Sequence, residues 1–400
     1  MSKKHACIVY YTYFYYSALL TREARALRDA GYEVDIICIR EPDEHPFEVV
    51  EGMNVYKLQR RSHTERHPAV YLAKLLGFFG LCTLLISFLH LRKGYDVVHV
   101  TSPPDFLVFA ALVPRLTGSM VILDIHDVVP ELYMRKFEAG ADHPAIRALR
   151  LIERLSCRFS NHVIIVTELW RRLLASRGVP EDKITVLMNV PDPEVFDPDR
   201  YSVARDEHHF NLVYHGSYGE LFGVETLVAA MKPISERLPN ARLIMWGDGP
   251  LRERLHEMVK ELGLGGCVSI KPSVPFTDLP PRIAAADLAV VPTRGGVFAG
   301  KALSMKSLDY IAMRVPMVIT RTPASSFYYD DSMVRFFEPD DPEGLAAAVV
   351  ELAGDPERRR RMVESCQRFY RQHNWYAYRR RYYAVVGAAG QGGPSAAAAG

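Results

Sequence analysis

Short apolar blocks alternate along the chain with longer segments in which apolar residues recur every three or four positions. The blocks Ala6–Tyr11, Val34–Ile39, Asp96–Thr101, Met120–Ile125, His162–Thr167 and Lys183–Met188 read as strands of a parallel sheet. Between them lie amphipathic segments such as Thr21–Ala30, where charged residues interleave with Ala24, Leu27 and Ala30 and Gly31 closes the helix. After Asn189 the pattern gives way to a Pro/Asp-rich polar stretch, residues 190–209, expected to be an interdomain linker. A second set of blocks follows: Phe210–His215, Arg242–Trp246, Val268–Lys271, Asp287–Pro292, Pro316–Thr320 and Met333–Phe337. The alternation predicts an α/β chain of two doubly wound, Rossmann-like domains, 1–189 and 210–365, facing across a cleft. A C-terminal helix is expected over 366–386, and the low-complexity tail 387–400 is expected to be disordered.

Length and composition fit this reading. At roughly 150 residues per domain, 400 residues suit two or three domains. With 48% hydrophobic and 24% charged residues, disordered and fibrous classes are excluded. Forty-nine basic against 47 acidic residues leave +2, spread over both halves, so nucleic acid is not an expected partner. The six cysteines show no CxxC and no Cys/His cluster at zinc spacing, and the N-terminus lacks the pattern of a signal peptide. A cytoplasmic location is the expectation.

One stretch departs from the average. From Lys57 to Lys93, seven basic residues face a single acid, Glu65, around the uncharged segment Leu75–Leu91. As a helix that segment is about 25 Å long, short of a ~30 Å hydrocarbon core, so a span is not expected. Two readings stand: a helix packed on the first sheet, or an interfacial patch for an anionic membrane surface.

Candidate chemistry concentrates at strand ends. In Pro292–Pro316, a glycine-bearing loop leads to Ser304 as N-cap and a helix from Met305, whose free N–H groups suit a phosphate. Arg294, Lys301 and Lys306 surround that terminus, and Asp309, one turn in, is placed to accept from ribose hydroxyls. Gly216 and Ser217 open a second glycine turn after Phe210–His215; Gly247–Pro250 reads as an ordinary tight turn. In the first half His126 and Asp127 follow Met120–Ile125, and Asp105 follows Asp96–Thr101. Nucleophile elbow, P-loop and HExxH patterns are missing, which removes hydrolase, NTPase and metalloprotease readings.

Taken in order, the segments YDVVHVTSPPDFLVFAAL, VILDIHDVVPELY, HVIIVTELWRRLLASRGVPEDKITVLMNVPD, YHGSYGELFGVETLVAAM, WGDGPL, AAADLAVVPT and MKSLDYIAMRVPMVIT resemble the landmarks of bacterial family 4 (group 1) glycosyltransferases of the GT-B fold. The resemblance covers roughly residues 5–386 and is nearest to enzymes of exopolysaccharide and cell-surface glycan assembly. It implies a nucleotide-sugar donor held by the C-terminal domain and a glycan or lipid-linked acceptor held by the N-terminal one. It also implies retention at the anomeric carbon, no cofactor or required metal, and a last helix crossing back to the first domain. Carried over residue by residue, the family's paired acids fall on Lys301 and Asp309, and its diphosphate-binding Arg and Lys fall on Ser217 and Phe222. Lys306, with Lys301 or Arg294, is therefore the expected replacement, Lys306 and Asp309 joining His126 as the expected catalytic set. His126 is expected to position sugar or acceptor, with Asp105 and Asp127 beside it. The lost cations also suit a catalytically impaired scaffold subunit, and the fold alone would suit a sugar-nucleotide epimerase.

Overall fold

The computed structural model describes residues 3–14, 18–41, 43–60, 68–137, 140–201, 206, 208–295 and 301–387. They form two compact units, Met1–Met188 with Tyr378–Gly400, and Asn189–Ala377.

Among the described residues the first unit holds eight strands: β1 Lys4–Tyr13, β2 Tyr32–Arg40, β3 Phe47–Val50, β4 Met53–Arg60, β5 Val97–Ser102, β6 Met120–Ile125, β7 His162–Ile165 and β8 Ile184–Val186. Their order is β3-β4-β2-β1-β5-β6-β7-β8, parallel except for the β3/β4 pair. The order reverses direction between β1 and β5, the kind of switch point where open α/β sheets bind ligands outside the strands' carboxyl ends. The β3/β4 hairpin escaped the apolar-block pattern because β3 is only four residues long with none of them buried and β4 alternates buried and half-exposed positions. Its signal was Glu51-Gly52, whose φ values of 51° and 79° are those of a two-residue hairpin turn.

The second unit holds β9 Phe210–His215, β10 Ala241–Trp246, β11 Val268–Lys271, β12 Leu288–Val291, β13 Met317–Thr320 and β14 Arg335–Phe337. All pairs are parallel, in the order β11-β10-β9-β12-β13-β14, which puts the switch point between β9 and β12. Two apolar layers, one around Leu227, Met231 and Leu243 and one around Ala289, Ile311 and Ile319, cover its faces.

Several strand limits differ from the sequence reading. The block His162–Thr167 stops at Ile165, and the Thr167 hydroxyl accepts from Trp170 N as the cap of the next helix. Lys183–Met188 shortens to Ile184–Val186. The expected linker 190–209 starts the second unit: Phe196 is buried in its core and Arg314 grips Asp199 through two hydrogen bonds, at 2.6 and 2.8 Å. The expected single helix 366–386 is two, Pro356–Gln372 and Trp375–Val385. Cys366 packs in the second unit's core, whereas Tyr382 and Val386 bond to the first unit. The tail beyond Gly387 lies outside the described residues.

Candidate active site

In the second unit, three of the residues expected to hold a donor, Gly216, Lys306 and Asp309, come together at the carboxyl end of β9. Gly216 leaves the strand at φ 114°, and a Cβ there would lie 2.6 Å from Lys306 Cε. The positive φ favours glycine at this position, and a side chain there would also displace the end of Lys306. The turn Gly247–Pro250 is a packing element of the same corner. A Cβ on Gly247 would lie 1.9 Å from the Gly216 carbonyl, and Tyr218 N donates to Asp248 O at 2.8 Å.

Lys306 lies in the helix Met305–Ala312. Its ammonium is 4.1 Å from the Phe222 ring centroid and 5.3 Å from that of Tyr214. Among the described residues no carboxylate lies within ion-pair distance of it. Burial, partly opposed by Asp309, lowers its pKa to about 8. The Asp309 carboxyl is pushed up to about 8 by burial, against the pull of Lys306. At neutral pH it is mostly protonated, so it can donate as well as accept, unlike the acceptor expected from sequence. His215 Nε2 is buried 3.4 Å from Asp309 Oδ2 with no hydrogen-bond partner among the described residues; burial, reinforced by Lys306, lowers its pKa to about 3. Desolvated polar groups with unused bonding capacity at a sheet's switch point mark a site made for a polar ligand.

The other expected donor residues are placed less directly. Ser304 caps the helix through its carbonyl, which accepts from Ser307 N, while its side chain makes no cap bond. Met305 and Ser217 are exposed. The Arg294 guanidinium turns to Asp340, 3.2 Å away, so it is not gathered with Lys306 by any contact among the described residues. Lys301 is half-buried at the start of the described stretch.

In the first unit the sequence singled out His126, and the structure shows what holds it. His126 Nε2 lies 3.0 Å from Asp124 Oδ2, and the same oxygen lies 3.2 Å from His99 Nε2. His99 Nδ1 in turn meets Tyr382 Oη at 2.8 Å. Glu23 stands 3.8 Å from His99 and pairs with Arg22. Tyr10 Oη approaches His126 Nδ1 at 3.5 Å. Burial disfavours both imidazolium forms, but Asp124 outweighs it and the pKa of His99 and of His126 is raised. Burial raises Glu23, and the two imidazoles hold Asp124 far below the usual carboxylate range despite its burial. Glu23, Asp124 and His126 offer ligand atoms within 4.8 Å of one another, as a metal site would, but hydrogen bonds already account for the shared Asp124 oxygen.

Asp127 follows His126 and is raised by burial, His126 opposing. Asp105 goes elsewhere: it accepts from Ser102 Oγ and is raised to about 6 by burial. Its charged neighbourhood is that of Glu153 and Arg177, and no contact among the described residues joins it to His126. Glu23, His99, Asp124 and Tyr382 were missed in the sequence. For His99 and Asp124 the signal was a polar residue inside an apolar strand, VVHVT and VILDI, which a buried sheet tolerates only with partners.

The segment Leu75–Leu91 belongs to a longer helix, Pro68–Lys93, whose 26 residues span about 39 Å. Length therefore does not exclude a span, and Ala69–Lys93 is long and apolar enough for one by composition. Leu75, Phe78, Cys82, Ile86 and Leu89 are nonetheless buried in the first unit, while Leu76, Leu84, Phe88 and Leu91 are exposed. The basic excess is partly neutralised: Lys57 is buried against Glu44 and Glu48, and Lys93 holds Asp35 at 2.7 Å. Arg61 and Arg66 lie outside the described residues.

Comparison with known proteins agrees with the two α/β units. Residues 17–189 match the glycosyl transferase 4-like domain and residues 209–355 match glycosyl transferases group 1. A chitobiosyldiphosphodolichol beta-mannosyltransferase of Debaryomyces hansenii is 25% identical over 77% of this chain and 70% of its own length. An uncharacterized glycosyltransferase of Methanocaldococcus jannaschii is 25% identical over 88% of both chains. Among solved structures, sucrose-phosphate synthase from Thermosynechococcus elongatus superposes with a TM-score of 0.75 at 18% identity, covering 96% of this chain and 98% of that one. HepE of Anabaena in complex with UDP gives 0.68 at 13%, over 96% and 99%. The fold is GT-B, and the chain belongs to the family 4 (group 1) glycosyltransferases. It is a glycosyltransferase enzyme that draws on a nucleotide-sugar donor.

Proposed function

We propose that the protein transfers a sugar from a nucleotide-diphosphate donor to a hydroxyl of a glycan or lipid-linked acceptor in surface polysaccharide or glycoconjugate synthesis, with no metal required. The observation that carries this is the Lys306 ammonium, desolvated over Phe222 and without a carboxylate partner among the described residues. A half-buried, unpaired cation of this kind is stabilised by an anion, and the leaving diphosphate develops charge that it can neutralise. The helix N-terminus at Met305 adds backbone donors, and Asp309 can bond a hydroxyl in either direction. A lipid-linked acceptor is supported by two relatives' names, the Debaryomyces enzyme above and a GDP-mannose-dependent phosphatidylinositol monomannoside mannosyltransferase.

Retention at the anomeric carbon is part of the proposal. Inversion is the second reading, favoured by one observation: it needs a base on the acceptor hydroxyl, and an imidazole backed by a carboxylate, as His126 is by Asp124, is such a group. Proton NMR of the product anomer separates the two. The exposed leucine stripe of Pro68–Lys93 supports a peripheral position on the cytoplasmic face of a membrane, where a lipid-linked acceptor would be met.

The test is thermal unfolding with UDP, GDP, ADP and dTDP and their sugars. A nucleotide at one hundred times its Kd stabilises by about 2.7 kcal/mol. Stabilisation by one base supports a working donor site, and no shift with any would overturn it.

A further inference from the structure

The chain of contacts behind His126 reaches the last helix of the protein, and donor and acceptor rules fix how its protons run. Asp124 is ionised and can only accept. Its Oδ2 lies 3.0 Å from His126 Nε2 and 3.2 Å from His99 Nε2, so both ring nitrogens donate to it. The neutral His99 ring then has Nδ1 as its acceptor, and Tyr382 Oη, 2.8 Å away, supplies the donor. By the same rule the neutral His126 ring carries its proton on Nε2 and leaves Nδ1 as an acceptor, on the side of the ring away from Asp124, where Tyr10 Oη at 3.5 Å is a long contact that a substrate hydroxyl would share or displace.

We propose that Tyr382 and His99 are positioning residues that act through Asp124 to hold His126 in its Nε2–H form, presenting Nδ1 as the acceptor for a substrate hydroxyl. This rests on the reading that His126 meets the hydroxyl-bearing acceptor. The charged and titratable groups around the His126 ring are Asp124 and Asp127 from β6 and the turn after it, His99 from β5, Glu23 and Arg22 from the helix Ala18–Asp29, and Tyr10 from β1. Glu23 and Arg22 pair with each other, which leaves Asp124 as the carboxylate that orients both rings. Tyr382 is fully buried, so its hydroxyl is not there to meet solvent, and its ring lies 5.6 Å from that of His99. The pairing also ties the end of the chain to the centre of the first sheet. The C-terminal helix thereby takes part in setting a proton position at the strand end.

The decisive experiment records imidazole nitrogen-15 correlation spectra of the labelled full-length protein, with His126→Gln and His99→Gln assigning the two rings. The proposal expects Nε2–H tautomers for both in the wild type, recorded at a pH above the raised pKa of the two rings, where both are neutral. Tyr382→Phe should mix the His99 tautomers and shift the His126 ring nitrogens, and it should lower kcat on GDP-mannose or UDP-glucose by about tenfold while donor KM stays within about twofold. Asp124→Asn, nearly the same shape and so a control for folding, should return one ring to Nδ1–H and cost about 10²-fold or more in kcat. An Nδ1–H ring at His126 in the wild type, or His126 nitrogens unmoved in both variants, overturns the chain of positioning. Wild-type turnover in His126→Gln with the expected spectra would instead leave the chain standing and remove the role assigned to His126.

Discussion

The Lys306 ammonium rests 4.1 Å from the centre of the Phe222 ring, at the position where the family resemblance places a diphosphate-binding lysine. On the proposed reading a cation from the helix Met305–Ala312 replaces one from the β9 turn, and the aromatic ring partly offsets the cost of desolvating it. Replacing the ring should therefore weaken donor binding without removing the charge. Phe222→Leu is expected to raise the Kd of the stabilising nucleoside diphosphate about two- to tenfold by calorimetry, and an unchanged Kd would show that the ring contributes nothing.

The glycine turns make a sharper structural prediction. A Cβ on Gly223 would meet the Pro292 carbonyl at 1.6 Å, at a φ of 57°, whereas one on Gly266 meets open space. Gly223→Ala should destabilise the protein by more than about 2 kcal/mol in urea unfolding. Gly266→Ala should fall within about 0.5 kcal/mol of wild type. Equal midpoints for the two variants would contradict the packing described for this corner.

Asp105 links burial to pH. Its folded pKa of about 6 lies above the ~3.9 of an unfolded aspartate, so the folded state binds the extra proton and stability falls as pH rises between those values. Asp105→Asn keeps an acceptor for Ser102 and has no proton to lose. Chemical denaturation should find it equal to wild type near pH 4 and more stable by about 2–3 kcal/mol at pH 8. A pH-independent difference would mean that the carboxyl is not held as described.

For the helix Pro68–Lys93, the side chains that matter are those without partners. Leu84 and Leu91 are among its most exposed residues, so glutamates there should leave the unfolding temperature unchanged. If this face meets a bilayer, the double variant Leu84→Glu/Leu91→Glu should lose co-sedimentation with anionic vesicles at least about fivefold relative to wild type. Equal recovery of both proteins with the vesicles would remove the membrane reading.

Much of the architecture was legible because parallel strands buried on both faces read as continuous apolar runs, as β6 and β12 do. The hairpin β3/β4 was lost to its alternating pattern, and the linker reading failed because a single buried Phe196 and the Asp199–Arg314 pair outweigh a polar average. In the candidate sites, single residues were visible and relationships were not. Lys306 and His126 could be named from their places after strands, but Phe222 under the one and Asp124, His99 and Tyr382 behind the other depend on contacts across up to 283 positions of chain. Arg294 and Asp105 show the converse: each had the right chemistry, and each is turned toward another partner, Asp340 and Ser102.

The central claim is that Lys306 neutralises the donor diphosphate, and calorimetric titration of wild type and Lys306→Gln with the stabilising nucleoside diphosphate tests it most directly. A charged hydrogen bond of this kind contributes about 1.5–3 kcal/mol, so the variant should bind about 10- to 100-fold more weakly at pH 7. Wild-type affinity should also fall above about pH 8, as Lys306 loses its proton and Asp309 gains a charge, whereas the pH dependence of the variant should be reduced to that of Asp309 alone. Equal affinities at pH 7 would contradict the account.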